Sequence, residues 1–223
     1  MIQWISEINQ ALVADRSHTH ASLQDILSSQ PLLTRVHLEV TVEWTFIQCE
    51  ERFPGEQAIP EGACMYLMSF LSQTPLRSLR VLELVAWACI SISAKCRGVR
   101  LETSSLCEAM ESSFTPEDLA RVEVYVLKKT QVQIGCMTIS ELCALLTEDS
   151  SVIELAQRFN KQWSLQLTVL DWSLGAAAVA SVLRALDTLR REEAKQALIA
   201  QLSGTNLVAQ SQRVLETVSI RVR

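Results

Sequence analysis

Two charged side chains stand where the surrounding sequence favours burial. Lys95 ends the stretch VLELVAWACISISAK, in which eleven of the fourteen residues 81–94 are Val, Leu, Ile, Ala, Trp or Cys. Glu123 lies in a predicted helix over 116–129, where every neighbour three or four residues away is apolar. Burying either charge without a partner is costly. If both lie on one apolar surface, they could hydrogen-bond an incoming protein, which is docking chemistry rather than catalysis.

Each charge also has a simpler explanation. Lys95 comes just before Arg97 and Gly98, so it is a cation at the negative end of a helix dipole, worth about 0.3–1 kcal/mol. Glu123 could stand at the edge of its helix and reach water. Spacing alone leaves these explanations open beside the docking surface.

Other reactive residue types form no catalytic or metal-binding pattern. The seven cysteines are an odd number without a C-x-x-C pair, which argues against a zinc site and a disulfide framework and favours reduced thiols inside a cell. His18 and His20 lie two residues apart in a predicted loop, and nothing nearby completes a metal site. We therefore expect no catalytic residues, no metal and no cofactor.

The composition is typical of a globular helical protein. The 223 residues are 48% hydrophobic and 20% charged, and six Gly and five Pro are few for this length. A net charge of −5 without a long basic run argues against nucleic-acid binding. Glu7 interrupts any export signal and Glu83 interrupts the longest apolar run, so we expect neither secretion nor a membrane span.

The spacing of apolar residues predicts helices along the first half. Residues 36–46 are ambiguous, because they alternate as in a strand but also form two adjacent helical stripes that begin at Val36 and Leu38. We predict a central helix there, buried on both stripes. The other helices are predicted over 2–14, 61–72, 81–94, around 101–110 and 116–129, the last with Thr115 as N-cap, Pro116 in the first turn and Asp118 in a capping box.

The second half repeats the helical character. Helices are predicted around 139–147, 151–163, 172–189 and 191–202, with another after Gly204. The segment SLGAAAVASVL is rich in small residues, which let other helices approach closely. We predict an all-α fold of two tandem five-helix bundles preceded by an N-terminal helix, with boundaries at 1–22, 23–134 and 135–223.

Three segments resemble, in order and spacing, the successive signatures of a cyclin box. They are YLMSFLS (66–72), LELVAWACISISAK (82–95) and RVEVYVLKKTQVQI (121–134). Trp44 matches the tryptophan of the family's preceding central helix, and SLGAAAVASVLRAL resembles the small-residue helix of a second cyclin fold. The chain is also similar to the D-type-like cyclins carried by gammaherpesviruses. The resemblance covers about residues 23–223 and is stronger in the first half.

The resemblance implies a regulatory subunit that binds and activates a host cyclin-dependent Ser/Thr kinase and so drives the cell cycle, in the host nucleus or cytoplasm. Retinoblastoma-type substrates would be reached through the kinase complex, and no nucleic acid or membrane would take part. Lys95 and Glu123 match the family's lysine and glutamate that contact the kinase near its regulatory helix. The apolar kinase contacts implied beside them are Ile92, Cys96, Leu127, Val132 and Ile134, with Val132 in place of an aromatic residue.

The sequence departs from the family pattern at two other places. Leu38 and Met68 replace an arginine and an aspartate that form a pair, and because both charges are absent together we expect the fold to survive. In the family's substrate-docking patch only Trp44 remains, and His37 and Thr41 replace apolar residues. We therefore expect weak binding of Arg-x-Leu peptides at this degraded patch.

Three other functions compete with this interpretation. A cyclin-fold transcription adaptor shares the helical bundle, but its DNA-binding form needs a basic face. An unrelated helical enzyme would need a catalytic constellation that the sequence lacks. A kinase-binding protein that does not activate its partner has the same sequence features as an activator.

Overall fold

The part of the chain that the structure describes is helical. The computed structural model describes residues 22–101, 106, 114–130, 137–167, 172–203 and 205–221. Within these ranges lie ten helices and no strand, which confirms the predicted all-α class. The helix predicted over 2–14, and most of the one predicted around 101–110, lie outside the described residues.

The chain divides into two compact units, one over His20–Cys136 and the other containing Met137–Arg223. The helices of the first unit are α1 (Leu23–Ser29), α2 (Arg35–Arg52), α3 (Ala58–Gln73), α4 (Arg80–Cys96) and α5 (Pro116–Lys129). Those of the second unit are α6 (Ile139–Leu146), α7 (Ser150–Leu165), α8 (Leu174–Thr188), α9 (Glu192–Leu202) and α10 (Leu207–Arg221).

Helix α4 is the core element of the first unit, as its all-round apolar sequence predicts. Every residue from Leu84 to Ala94 is buried, and α4 packs against α2, α3 and α5. Trp87 is fully buried, and the ring of Trp44 packs edge-on against it with the centroids 5.1 Å apart. The guanidinium of Arg52 lies 4.8 Å from the centre of the Trp87 ring.

Helix α2 is a helix and not a strand, but the prediction that both of its stripes are buried is wrong. The stripe of Leu38, Val42, Phe46 and Cys49 is in the core. In the other stripe Val36 is 63%, Val40 58% and Ile47 48% exposed, while Trp44 packs on Trp87. Periodicity shows which positions are apolar but not whether a second element covers them, so the sequence alone could not distinguish these stripes.

The two positions that lack the family's charges are packed as apolar core. Leu38 is 0% exposed on α2 and Met68 is 4% exposed on α3. No charge is left buried at either position, which avoids the main cost of losing one member of an ion pair. The fold is retained, as the paired replacement leads one to expect.

The cysteines that the structure describes are free thiols, and several serve as small core residues. Burial raises the pKa of Cys49 to about 12 and raises the pKa of Cys89 as well. These thiols therefore stay protonated and unreactive near neutral pH. Among the described residues no group of His, Cys, Asp or Glu side chains could hold a metal ion.

Helix α8 is the central element of the second unit. It begins at Leu174 rather than at 172, because the Ser173 hydroxyl accepts a hydrogen bond from the Ala176 N–H and caps the helix. Seven of its eleven buried residues are Gly, Ala or Ser, and it packs against α6, α7 and α10. Small side chains thus allow close contact on several sides, as the sequence predicts.

Candidate protein-docking site

Lys95 and Glu123 meet across the surface of the first unit. Lys95 lies in the last turn of α4 and Glu123 in the middle of α5. The Lys95 Nζ donates to both carboxylate oxygens of Glu123, at 2.8 Å to Oε1 and 2.7 Å to Oε2. The lysine side chain is 47% exposed and the glutamate side chain 14% exposed. The partner that Glu123 needs is therefore Lys95, and the structure places both residues on one patch.

The end of α4 fixes the position of Lys95. Gly98 adopts a left-handed conformation with φ +73°, and its N–H donates to the carbonyl of Lys95 at 3.1 Å. The Val99 N–H reaches back to the carbonyl of Ala94 at 3.1 Å, which completes a Schellman motif. Glycine takes this backbone conformation without steric cost. The lysine also lies where a cation meets the negative end of the helix dipole, so the simpler sequence explanation of Lys95 applies.

The start of α5 fixes the position of Glu123. Thr115 caps the helix, with its hydroxyl accepting from the Asp118 N–H, and Pro116 occupies the first turn. In return the Thr115 N–H and hydroxyl donate to the Asp118 carboxylate, at 3.1 and 2.8 Å. These hydrogen bonds, the backbone one first, lower the pKa of Asp118. The predicted capping box is confirmed.

Apolar surface is exposed on α5 near the ion pair. Leu127 follows Glu123 by one turn and is 36% exposed, and the adjacent Val124 is 51% exposed. Tyr125 is also exposed, and its ring packs edge-on against Phe70 with the centroids 5.7 Å apart. Exposed aliphatic side chains near a charged pair fit a docking surface in which apolar burial gives affinity and the charges set the register.

The other predicted contact residues are placed unevenly. Ile92 is 4% exposed and belongs to the core of the unit, so it offers little surface to a partner. Cys96 is half-buried, with its Sγ 3.8 Å from the hydroxyl of Tyr66. Val132 and Ile134 lie outside the described residues. Val124 was not singled out from the sequence as exposed apolar surface, although it directly follows Glu123.

The ion pair contributes little to folding. Half of the lysine side chain is in water, and pairs of this kind are worth about 0–1 kcal/mol. Glu123 is more covered than Lys95, so removing the lysine leaves a carboxylate with less access to water than an ordinary surface residue has. Stability alone therefore gives a weak reason for placing these charges among apolar residues.

The predicted substrate-docking residues lie together on α2 but are already engaged within the unit. The His37 ring nitrogen Nδ1 lies 3.1 Å from both the N–H and the hydroxyl of Thr34, in the cap of the helix. The Thr41 hydroxyl donates to the carbonyl of His37 at 2.7 Å. Trp44 packs on Trp87. The apolar surface available on α2 is instead the outward stripe of Val36, Val40 and Ile47, which the sequence did not identify as exposed.

Comparison with known proteins identifies the family. The model of the cyclin N-terminal domain matches residues 7–135, which is more than half of the chain. The chain belongs to the cyclin family. By sequence it is similar to the G1/S-specific cyclin-D1 of Mus musculus, with 30% identity over 101 residues, and to that of Homo sapiens, with 29% identity. The alignments cover 45% of this chain and 34% of each cyclin-D1, so the chain matches only about a third of the length of these relatives.

The fold is also that of a cyclin. The X-ray structure of a viral cyclin from herpesvirus saimiri superposes with a TM-score of 0.77 at 17% identity, over 95% of this chain and 96% of the viral protein. At this identity the similarity shows the fold. Together the comparisons confirm the resemblance to D-type and herpesvirus cyclins. No helix among the described residues is both long and apolar enough to cross a membrane.

Proposed function

We propose that this cyclin is a regulatory subunit that binds and activates a cyclin-dependent Ser/Thr kinase, and that Lys95 and Glu123 form the polar centre of its kinase-docking surface. The observation that carries the proposal is the contact of the Lys95 Nζ with both Glu123 oxygens beside the exposed Leu127. Membership of the cyclin family and the similarity to cyclin-D1 support it.

Activation by such a subunit is a shift of population rather than chemistry. A kinase alone favours an arrangement in which its αC glutamate is away from the phosphate-binding lysine. A docking surface that complements only the active arrangement pulls the αC helix inward and reorders the activation loop. The cyclin then needs no catalytic residue, because the nucleophile, metal and base belong to the kinase complex.

The size of this shift sets the size of the interface. Moving a two-state equilibrium from 1:99 to 99:1 requires about 5.5 kcal/mol of differential binding. One ion pair does not supply that, so an interface of about 2,000 Å² or more is required. In this proposal Lys95 and Glu123 set the register of docking, and exposed aliphatic side chains such as Leu127 and Val124 supply the burial.

We further propose that the kinase and its retinoblastoma-type substrates belong to a host cell, and that this cyclin deregulates the host cell cycle. The fold similarity to the herpesvirus cyclin supports this part of the proposal. The engaged side chains of His37 and Thr41 support weak recruitment of Arg-x-Leu peptides at α2. Substrate choice would then depend mainly on the active site of the kinase.

The test is co-purification of the cyclin with a panel of cyclin-dependent kinases, followed by phosphorylation of histone or retinoblastoma protein. Lys95→Ala and Glu123→Ala should each lower activation at limiting cyclin by about tenfold or more, as expected for a residue at the centre of an interface. Helicity should be unchanged and the melting temperature nearly so, because the ion pair contributes little to folding.

Lys195→Ala is the matched control. Lys195 forms an ion pair with Asp187 in the second unit, so this variant also removes a lysine from an interhelical pair. It should activate the kinase as the wild type does. Full activation by both Lys95→Ala and Glu123→Ala would contradict the docking site. If a kinase of the panel binds tightly but phosphorylates neither histone nor retinoblastoma protein, the cyclin binds that kinase without activating it.

A further inference from the structure

Helices α3 and α4 come very close where Gly62 faces the last turn of α4. A Cβ atom at position 62 would lie 2.5 Å from the Ser93 Oγ and 2.9 Å from the Arg97 Nη1. Both distances are shorter than side-chain carbons tolerate in a packed interior. The backbone at Gly62 is helical and buried, so a Cβ atom there would force the Ser93 hydroxyl and the Arg97 guanidinium to move.

Three hydrogen bonds hold the same turn. The Ser93 hydroxyl donates to the carbonyl of Ile59 on α3 at 2.8 Å. The Arg97 Nη1 donates to the Ser93 carbonyl at 3.3 Å and to its Oγ at 3.1 Å. Ser93 is fully buried, so its hydroxyl has no water to replace a lost partner. The first bond ties the end of α4 to α3, and the two bonds from Arg97 hold Ser93 in place within α4.

Lys95 belongs to the same turn but lies on the side of α4 that faces away from α3. Ser93 and Arg97 stand two residues before and after Lys95, and two residues of a helix span about 200°. The lysine side chain therefore leaves α4 away from α3 and reaches Glu123 on α5. A rotation of the turn against α3 would move the Lys95 Nζ relative to the carboxylate and to any docked protein.

We propose that Gly62, Ser93 and Arg97 are positioning residues for the docking cation Lys95. This inference rests on the proposed function of Lys95. The three residues hold the last turn of α4 against α3 and so keep the Lys95 Nζ within hydrogen-bond distance of Glu123. Binding groups lose their effect when they are displaced by more than about 0.5 Å, so the contact at Gly62 sets the affinity without touching the partner.

The direct test is Gly62→Ala. Alanine is better than glycine inside a helix, so without a close approach this variant would melt higher than the wild type. We expect it to melt no higher and to bind the kinase about tenfold more weakly by calorimetry, within the range of coupling between contacting residues. Ser93→Ala should bind about threefold more weakly. Adding Ser93→Ala to Gly62→Ala should recover part of the loss of Gly62→Ala, because it removes the 2.5 Å contact and leaves the 2.9 Å contact with Arg97.

The same substitution in a Lys95→Ala background separates positioning from general packing. With the positioned group removed, Gly62→Ala should change affinity by less than about twofold. An equal loss of affinity in both backgrounds would overturn the proposal, as would wild-type binding by Gly62→Ala. A Gly62→Ala variant that melts higher than the wild type would overturn it too.

A measurement on the free protein keeps this inference separate from the proposed function. The carboxyl carbon of Glu123 can be followed by NMR without any kinase. Gly62→Ala should shift that resonance toward its position in Lys95→Ala. If Lys95→Ala binds the kinase normally, the proposed function fails, and the Glu123 resonance alone decides whether Gly62 positions Lys95. An unchanged resonance in Gly62→Ala overturns the positioning role.

Discussion

The buried central helices of the two units, α4 and α8, can be compared directly, because each has an interhelical ion pair near its C-terminal end. At α4 the pair is Lys95 with Glu123 of α5. At α8 it is Asp187 with Lys195 of α9. The Lys195 Nζ also lies 4.0 Å from Glu192, and Asp187 raises the pKa of Lys195 chiefly through a hydrogen bond to it.

The surroundings of the two pairs differ more than the pairs themselves. Glu123 is bordered on α5 by the exposed aliphatic side chains of Val124 and Leu127. The pair at α8 has charged neighbours, and Arg191 beside it reaches Asp149 at 4.0 Å. A network of exposed charges resembles ordinary solvated surface. A charge pair next to exposed aliphatic side chains resembles the apolar core of an interface, from which a bound partner excludes water. The aliphatic side chains on α5 therefore support the proposal that the Lys95–Glu123 pair, rather than the pair at α8, belongs to a docking surface.

The two helices also fill their cores in different ways. Helix α4 places the large ring of Trp87 at the centre of its unit, where it contacts Trp44 and Arg52. Helix α8 presents alanines, among them the fully buried Ala180. A core built around a large ring is sensitive to loss of volume, while a core built around small residues is sensitive to added volume.

Substitutions in the two cores test this difference in packing and should have the largest effects on stability. Trp87→Ala should destabilise the protein by about 3–5 kcal/mol, because it opens a cavity beside Trp44. Ala180→Leu should cost about 1–3 kcal/mol through overpacking. Urea unfolding followed by circular dichroism measures both. A loss of less than about 1 kcal/mol for Trp87→Ala would mean that the ring is not a central support of the first unit.

The ends of α4 and α5 and the need of Glu123 for a partner could be predicted from sequence, because each depends on the types of a few neighbouring residues. Gly98 after a basic residue predicts the end of α4, and Thr115 with Asp118 predicts the start of α5. The apolar neighbours of Glu123 predict a partner outside its own helix, and Lys95 is that partner. The pairing distance itself depends on how α4 and α5 pack, which local spacing does not determine.

Burial was harder to predict, because it depends on which elements meet. The two stripes of α2 are equally apolar in sequence, yet Leu38 is in the core and Val40 faces outward. Ile92 and Leu127 both fit apolar contact positions, yet Ile92 is covered by its own unit. Apolar periodicity describes one helix at a time, while exposure depends on the whole bundle.

Exchanging the two charges of an ion pair tests whether their positions matter to a partner. Lys95→Glu with Glu123→Lys keeps opposite charges in contact, so folding should be nearly unchanged. A kinase that reads the positions of the ammonium and the carboxylate should bind about 30-fold more weakly, the loss expected for an interface hot spot. Calorimetric titration with the kinase measures this loss.

The matched exchange is Asp187→Lys with Lys195→Asp in the second unit, which should leave kinase affinity within about twofold. Normal binding by the Lys95 and Glu123 exchange would show that only the intramolecular bridge matters. A large loss from the Asp187 and Lys195 exchange would place a second docking contact at α9 and remove the distinction between the two pairs.

The smallest expected effect concerns the capping boxes that begin α5 and α6. The pKa of Asp118 is held below the ordinary value of 3.8 by hydrogen bonds from Thr115. A lowered pKa in the folded state gives stabilisation that is complete above the unfolded value and is lost as pH falls through the folded value, so this cap weakens only below about pH 3.8. Thr115→Ala should move the Asp118 pKa back toward 3.8, as measured by NMR titration of its carboxyl carbon.

Thr138 caps α6 in the same way, with Glu141 as its partner, so Thr138→Ala is the control and should leave the Asp118 titration unchanged. Glu123 lies about two turns from the Thr115 cap, so a frayed α5 would also loosen the carboxylate that holds Lys95. Thr115→Ala should therefore weaken kinase binding slightly, and Thr138→Ala should not. An unshifted Asp118 in Thr115→Ala would contradict the hydrogen-bond origin of its low pKa.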